Sequence, residues 1–404
     1  MFDASFLLAV LAMLLVGKIL GDLVKRMGFS PLIGQMFAGI LLGPMLLNIV
    51  PLSHEMELLT SIGVLFMMFL MGLYVDIEKV MGENVYKAAF ITLIAGTLTF
   101  ATTATITALL GFSFNAALLV GVAFISTSTA IGFMVLTGFG DKTSRVFRTV
   151  MAVGITDDTY AILALALFGS YLASGIDLRY AFTLFLLVIG FFILVLKFGK
   201  SVSDRLIHYA RKSKDDQSII SFSLILLIFV AFMSQSVGIA SVTGAFLAGT
   251  ILSRSPLSYK IITPKIEAVS EGLFIPLFFV LTGVRINIFE MLASNRVDLM
   301  ITSIPIDIVL FLGLLMAVMA SKYLGTLVAT KLIGGYRDIE VNKLALIMTP
   351  MGEYTLVIGA LGLVMYYPGT TTPILDPQIY SVLALIVLII SIIAPVMLRA
   401  VYKK

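Results

Sequence analysis

Hydrophobic runs of about 20 residues, each long enough to cross the hydrocarbon core of a bilayer, recur along the whole chain. Thirteen are recognised, at roughly 5–24, 30–50, 57–75, 86–111, 115–138, 147–173, 180–197, 217–234, 238–253, 269–288, 299–330, 342–366 and 378–401. The ninth is short, and the eleventh is long enough to be tilted or to include a surface turn. The basic segment Lys197–Asp216 divides the series into six spans, a linker span and six spans. This predicts one transmembrane domain over 1–404: repeat one at about 1–175, a linker helix at about 180–197 and repeat two at about 217–404. Six spans carried once across an odd linker return upside down, the arrangement of inverted-repeat secondary transporters.

Two runs are interrupted at matched positions. The fifth holds Ser126-Thr127-Ser128-Thr129 and the twelfth holds Pro350-Met351-Gly352-Glu353. Discontinuous helices at corresponding places in two halves point to an ion site near the midplane. Irregular backbone at that depth is tolerated only where it is buried in protein or lines a cavity.

Composition agrees with this class. Residues are 60% hydrophobic and 12% charged, with a mean hydropathy of +1.09, against about 25% charged for a soluble protein. The reading is an all-α polytopic membrane protein. The chain opens Met-Phe-Asp without a basic region or small-residue cleavage site, so no cleavable signal is expected. After the last run only Tyr402, Lys403 and Lys404 remain, so no soluble C-terminal domain is expected. No cysteine is present, and His54 and His208 fall in connecting segments, which argues against a thiolate or histidine metal centre in the membrane.

Basic residues set the orientation. With the N-terminus outside, Arg179, Arg285 and Arg296 face outward, Lys18 and Lys322 lie within spans, and the other 22 of 27 fall to the cytoplasmic side. The predicted topology is a cell (inner) membrane protein with its C-terminus in the cytoplasm. The net charge of +4 carries no nucleic-acid signal, since these basic residues gather in loops.

Few charges remain at depth. Asp157 and Asp158 stand side by side in the sixth run, at an insertion cost of roughly 2.5–3.5 kcal/mol each. They persist there only by facing water or a cation. Neighbours on a helix diverge by about 100°, so one can meet Lys322 of the eleventh run while the other faces an aqueous cavity. Glu353, beside the helix break, is suited to capping freed N–H groups. The hydroxyls of Ser126, Thr127, Ser128 and Thr129 are available to a cation. Lys18 has its own partner four residues on, Asp22, and can snorkel to the membrane face. Arg285 ends the tenth run as an interfacial anchor.

Six segments carry a family resemblance: Gly39-Ile-Leu-Leu-Gly-Pro44, Ile62–Gly72, Thr127-Ser-Thr-Ala-Ile131, Thr156-Asp-Asp158, Ser321-Lys-Tyr-Leu-Gly325 and Pro350-Met-Gly-Glu-Tyr354. In this order they resemble the monovalent cation:proton antiporter-2 family, which holds bacterial sodium/proton antiporters and the membrane parts of potassium-efflux systems. The resemblance implies a homodimer of thirteen-helix protomers. Each would have two crossing discontinuous helices in a core domain that moves, elevator fashion, against a dimerisation scaffold. It implies that Asp158 carries the cation, with Na⁺ held there. Asp157 would pair with Lys322, Thr127 and Ser128 would complete the cation and proton site, and Glu353 and Thr129 would support the crossover. A double aspartate with a lysine resembles the electrogenic branch. Met351 departs from the family, whose members often carry Arg there.

The implied function is exchange of Na⁺ or Li⁺ for H⁺, without a cofactor. The alternatives are a K⁺/H⁺ antiporter of the potassium-efflux branch, a sodium-coupled organic anion symporter, and a channel or non-transporting sensor. An aspartyl protease would need its two carboxyls to face each other, which adjacent helix positions do poorly, so no enzyme is expected.

Overall fold

The computed structural model describes residues 4–74, 85–128, 144–174, 216–236, 240–255, 257–299 and 302–402, with single positions at 136, 186, 190, 197 and 201. Apart from Leu186, Gly190 and Lys197, the expected linker span lies outside the described residues.

The helices follow the hydrophobic runs. They are α1 (Ala4–Arg26), α2 (Pro31–Leu42), α3 (His54–Tyr74), α4 (Val85–Leu109), α5 (Phe114–Ala123), α6 (Arg145–Ser174), α7 (Asp216–Ser236) and α8 (Ser241–Ser253). Then come α9 (Thr263–Val269), α10 (Ile275–Val284) and α11 (Ile288–Ala293), followed by α12 (Ile306–Ile333), α13 (Asp338–Ile347), α14 (Glu353–Val364) and α15 (Pro377–Tyr402). Among the described residues eight helical stretches are long and apolar enough to span a membrane, one of them Lys260–Ala293. π-Helical turns at Ser258–Ile262 and Ser270–Phe274 flank α9.

Local chemistry sets the ends. Ser30 is extended, as a residue before proline prefers, and Pro31 opens α2. The second run stops early at Leu42 because Gly43 turns extended ahead of Pro44. Gly334 and Gly335, both at positive φ, end α12. One expectation is corrected at its N-terminal side: the eleventh run does not begin as helix. Residues Arg296–Leu299 form β1, paired antiparallel with β2 (Thr302–Pro305), Arg296 opposite Pro305. Val297, Thr302 and Ile304 are β-branched and favour this conformation. Among the described residues the helical reading holds outside this strand pair and an isolated bridge between Tyr366 and Pro373.

The chain forms two compact units: Met1–Leu52, Glu83–Ala161 and Phe279–Lys404 in the first, Ser53–Gly82 and Ile162–Phe278 in the second. Each is built around a crossing of small residues that lets backbones meet. In the first, a Cβ on Gly39 of α2 would stand 1.9 Å from the Val280 carbonyl oxygen of α10. In the second, a Cβ on Gly72 of α3 would stand 2.1 Å from the Phe246 carbonyl oxygen of α8. One core of the first unit joins Ile91, Val150, Val153, Ala329, Leu344 and Leu398. Arg285, just past α10, lies over the Tyr380 ring at 5.7 Å, and its carbonyl accepts from Ser381 Oγ. Lys18 pairs with Asp22 at 3.1 Å on the surface of α1.

Candidate ion site at the helix breaks

Both interrupted runs break as helices. The fifth ends at Ala123, where the hydroxyl side chains that follow compete with helical backbone bonds. The twelfth splits into α13 and α14 because Pro350 has no N–H and disfavours helix at Thr349. The two breaks touch: Ser128 N–H donates to the Pro350 carbonyl at 2.7 Å. Gly352 permits this approach, since a Cβ there would stand 2.7 Å from Ser128 Cβ.

Around this crossing the structure gathers Asp157 and Asp158 from α6, Lys322 from α12 and Glu353 from α14. Lys322 Nζ lies 3.0 Å from Asp157 Oδ2, and both side chains are 1% exposed. The same ammonium donates to the Ile125 carbonyl, a group freed by the break after α5. Thr127 Oγ1 donates to Asp157 Oδ2 at 2.5 Å. Asp157 Oδ1 has no hydrogen-bond partner among the described residues.

Asp158 turns the other way. It is partly exposed, and its Oδ1 accepts from Ser126 Oγ at 2.7 Å. Glu353 opens α14, where the positive helix end favours a carboxylate. Its Oε2 is buried without a partner among the described residues, as are Tyr354 OH and Thr355 Oγ1. Ser128 is buried and acts through its backbone. Thr129 lies outside the described residues. Met351 is fully buried and supplies packing at the break.

The two carboxylates differ in their surroundings: Asp157 is paired with an ammonium, and Asp158 is partly exposed. Residues 10–404 match the sodium/hydrogen exchanger transmembrane family. The chain belongs to that family. It is a multi-pass membrane exchanger of a monovalent cation for protons, a transporter and not an enzyme, and the protease and symporter readings fall with that membership. The exchanger is 27% identical over 359 residues to the probable Na⁺/H⁺ antiporter GerT of Bacillus cereus, covering 89% of this chain and 91% of that one. It is 24% identical over 400 residues to the Na⁺/H⁺-K⁺ antiporter GerN of the same species, covering 98% and 96%. A Na⁺/H⁺ antiporter of Enterococcus hirae is 25% identical over 404 residues, covering 98% of each. The fold matches that of the sodium proton antiporter MjNhaP1 from Methanocaldococcus jannaschii, solved at pH 8. The TM-score is 0.73, with 18% identity and 99% of both chains covered.

Two parts of this cluster escape sequence reasoning. The Ile125 carbonyl is a backbone group, and nothing in its side chain signals a partner for Lys322. The hydroxyls of α4 were legible only as polar residues in an apolar run: Thr92 meets Thr156 at 2.7 Å, and Thr99 accepts from Ser321 at 3.0 Å.

Proposed function

We propose that this chain exchanges Na⁺, or Li⁺ in its place, for H⁺ at Asp158. The observation that carries the reading is the split between the two aspartates. Asp157 is paired with Lys322 and accepts from Thr127. Asp158 is partly exposed, with one hydroxyl donor. A carboxylate in that state takes either a proton or a cation and cannot hold both, so the two compete and are exchanged. Thr127 and Ser128 flank the site, and Glu353 supports the crossing of the broken helices.

Lys322 is the coupling group in this reading. When a cation binds at Asp158, the Asp157–Lys322 pair loosens and the lysine releases a proton, so that more protons than cations move per cycle. The double aspartate and lysine support this electrogenic assignment. Transport proceeds by an elevator motion in a homodimer, with the N-terminus outside and the C-terminus in the cytoplasm; the excess of basic residues in one set of loops supports that orientation.

The two glycine crossings support the inverted repeat of about 1–175 and 217–404. Exchanging the second span with the ninth and the third with the tenth turns the Gly39–Val280 crossing into the Phe246–Gly72 one. The relative named as a Na⁺/H⁺-K⁺ antiporter keeps K⁺/H⁺ exchange as the second reading.

Proton movement in proteoliposomes on addition of Na⁺, Li⁺ or K⁺ tests the proposal, with the membrane potential free or clamped. The expected result is a voltage-sensitive response to Na⁺ and Li⁺ that Asp158→Asn abolishes. Coupled exchange surviving in Asp158→Asn would show that another carboxylate carries the ion. A response to K⁺ alone would select the second reading.

A further inference from the structure

α4 carries no charge at depth, yet one two-turn stretch of it touches both helices of the buried ion pair. Thr92 Oγ1 lies 2.7 Å from Thr156 Oγ1, and Thr97 Oγ1 lies 3.0 Å from Tyr160 OH, on α6. A Cβ on Gly96 would stand 2.9 Å from the Tyr160 ring. These contacts bracket Asp157 and Asp158. On the other side Ser321 Oγ donates to Thr99 Oγ1 at 3.0 Å, and a Cβ on Gly325 would stand 2.7 Å from Ala95 Cα. These bracket Lys322 on α12. The pairings run parallel to α6 and antiparallel to α12, so the stretch fixes the height of both charged helices at once.

We propose that Thr92–Thr99 of α4 is a spacer that holds Lys322 on Asp157 and away from Asp158, with Thr92 and Thr99 as positioning residues. The inference rests on Asp158 being the ion-carrying carboxylate. The spacer matters because the lysine has two carboxylates within one residue of each other to choose from. Asp158 is open to a cation only while the ammonium stays on its neighbour. The titratable groups around the pair are Asp157, Asp158 and Tyr160 of α6, Lys322 of α12, and Glu353 and Tyr354 of α14. No titratable side chain comes from Thr92–Thr99. A change on α4 therefore acts on the site through helix placement.

Both hydroxyls can be removed without leaving a buried donor unpaired. Thr156 retains the Val153 carbonyl at 3.0 Å, and Ser321 retains the Val318 carbonyl at 3.4 Å. Valine matches threonine in shape. The test is Na⁺-dependent proton movement in proteoliposomes across a pH series, for Thr92→Val, Thr99→Val and the double variant. Expected is a rise in the KM for Na⁺ of about fivefold for a lost hydrogen bond, with a displaced pH profile and a maximal rate little changed. Thr92→Ser and Thr99→Ser, which keep the hydroxyls, should restore both. A merely structural role would lower yield or maximal rate and leave the pH profile in place. Wild-type KM and pH profile in the folded valine variants would overturn the spacer. Should the double variant fail to fold, the single variants carry the same readouts. Coupled exchange in Asp158→Asn would instead overturn the site reading on which the inference rests; an inactive Asp158→Asn beside silent valine variants would overturn the spacer alone.

Discussion

Lys322 Nζ sits 3.0 Å from Asp157 Oδ2 with both side chains sealed from solvent, while Asp158, one residue on, stays partly exposed. Removing one member of such a pair leaves an uncompensated buried charge and costs about 3–5 kcal/mol. Lys322→Gln and Asp157→Asn, each alone, should therefore lower the thermal unfolding temperature in detergent. The double variant should recover part of the loss, because no lone charge remains. In liposomes Lys322→Gln should also change the charge moved per cycle, and unchanged electrogenicity would remove the lysine from the coupling step.

Gly352 is a contact point of the two breaks. In Gly352→Ala the added methyl would stand 2.7 Å from Ser128 Cβ, pushing apart the Ser128–Pro350 backbone bond. Overpacking of this kind costs about 1–3 kcal/mol. Exchange should fall steeply, as measured by proton flux, while the membrane-inserted protein is still produced.

The glycines of the helix crossings should differ sharply from those in open surroundings. A methyl at Gly39 would stand 1.9 Å from a backbone carbonyl, whereas one at Gly272 would meet nothing within 4 Å. Gly39→Ala should unfold well below the wild type in a detergent melt, and Gly272→Ala should match it.

The loop between α12 and α13 carries a pH-dependent cap. Glu340 accepts from the Arg337 N–H at 2.8 Å, and this bond, with the Arg337 guanidinium at 3.4 Å, holds its carboxyl below the usual value. A depressed folded-state value stabilises the fold above the unfolded value and loses that effect as pH falls through the folded one. Glu340→Gln should melt slightly below wild type at neutral pH, by under about 1 kcal/mol, and the two should converge as pH falls from the ordinary carboxylate range through the lowered folded value.

The sequence by itself determined where the long apolar segments lie, where two of them break and which charges fall within them. Each follows from the residue types alone: apolar length, the missing N–H of Pro350 and the desolvation cost of Asp157, Asp158 and Lys322. The residues alone left open which aspartate meets the lysine, since that depends on the rotation of α6 about its axis. Tertiary structure decided it. The partners of Lys322 lie 165 and 197 residues away, and Ser321 and Thr99 are 222 apart. No local pattern encodes contacts at such separations. The same holds for the glycine crossings and for the pairing of Arg296–Leu299 with Thr302–Pro305, whose second strand falls inside the eleventh apolar run. Hydrophobic length is a property of a segment, whereas a salt bridge, a backbone crossing and a shared hydroxyl exist only once two distant segments are packed together.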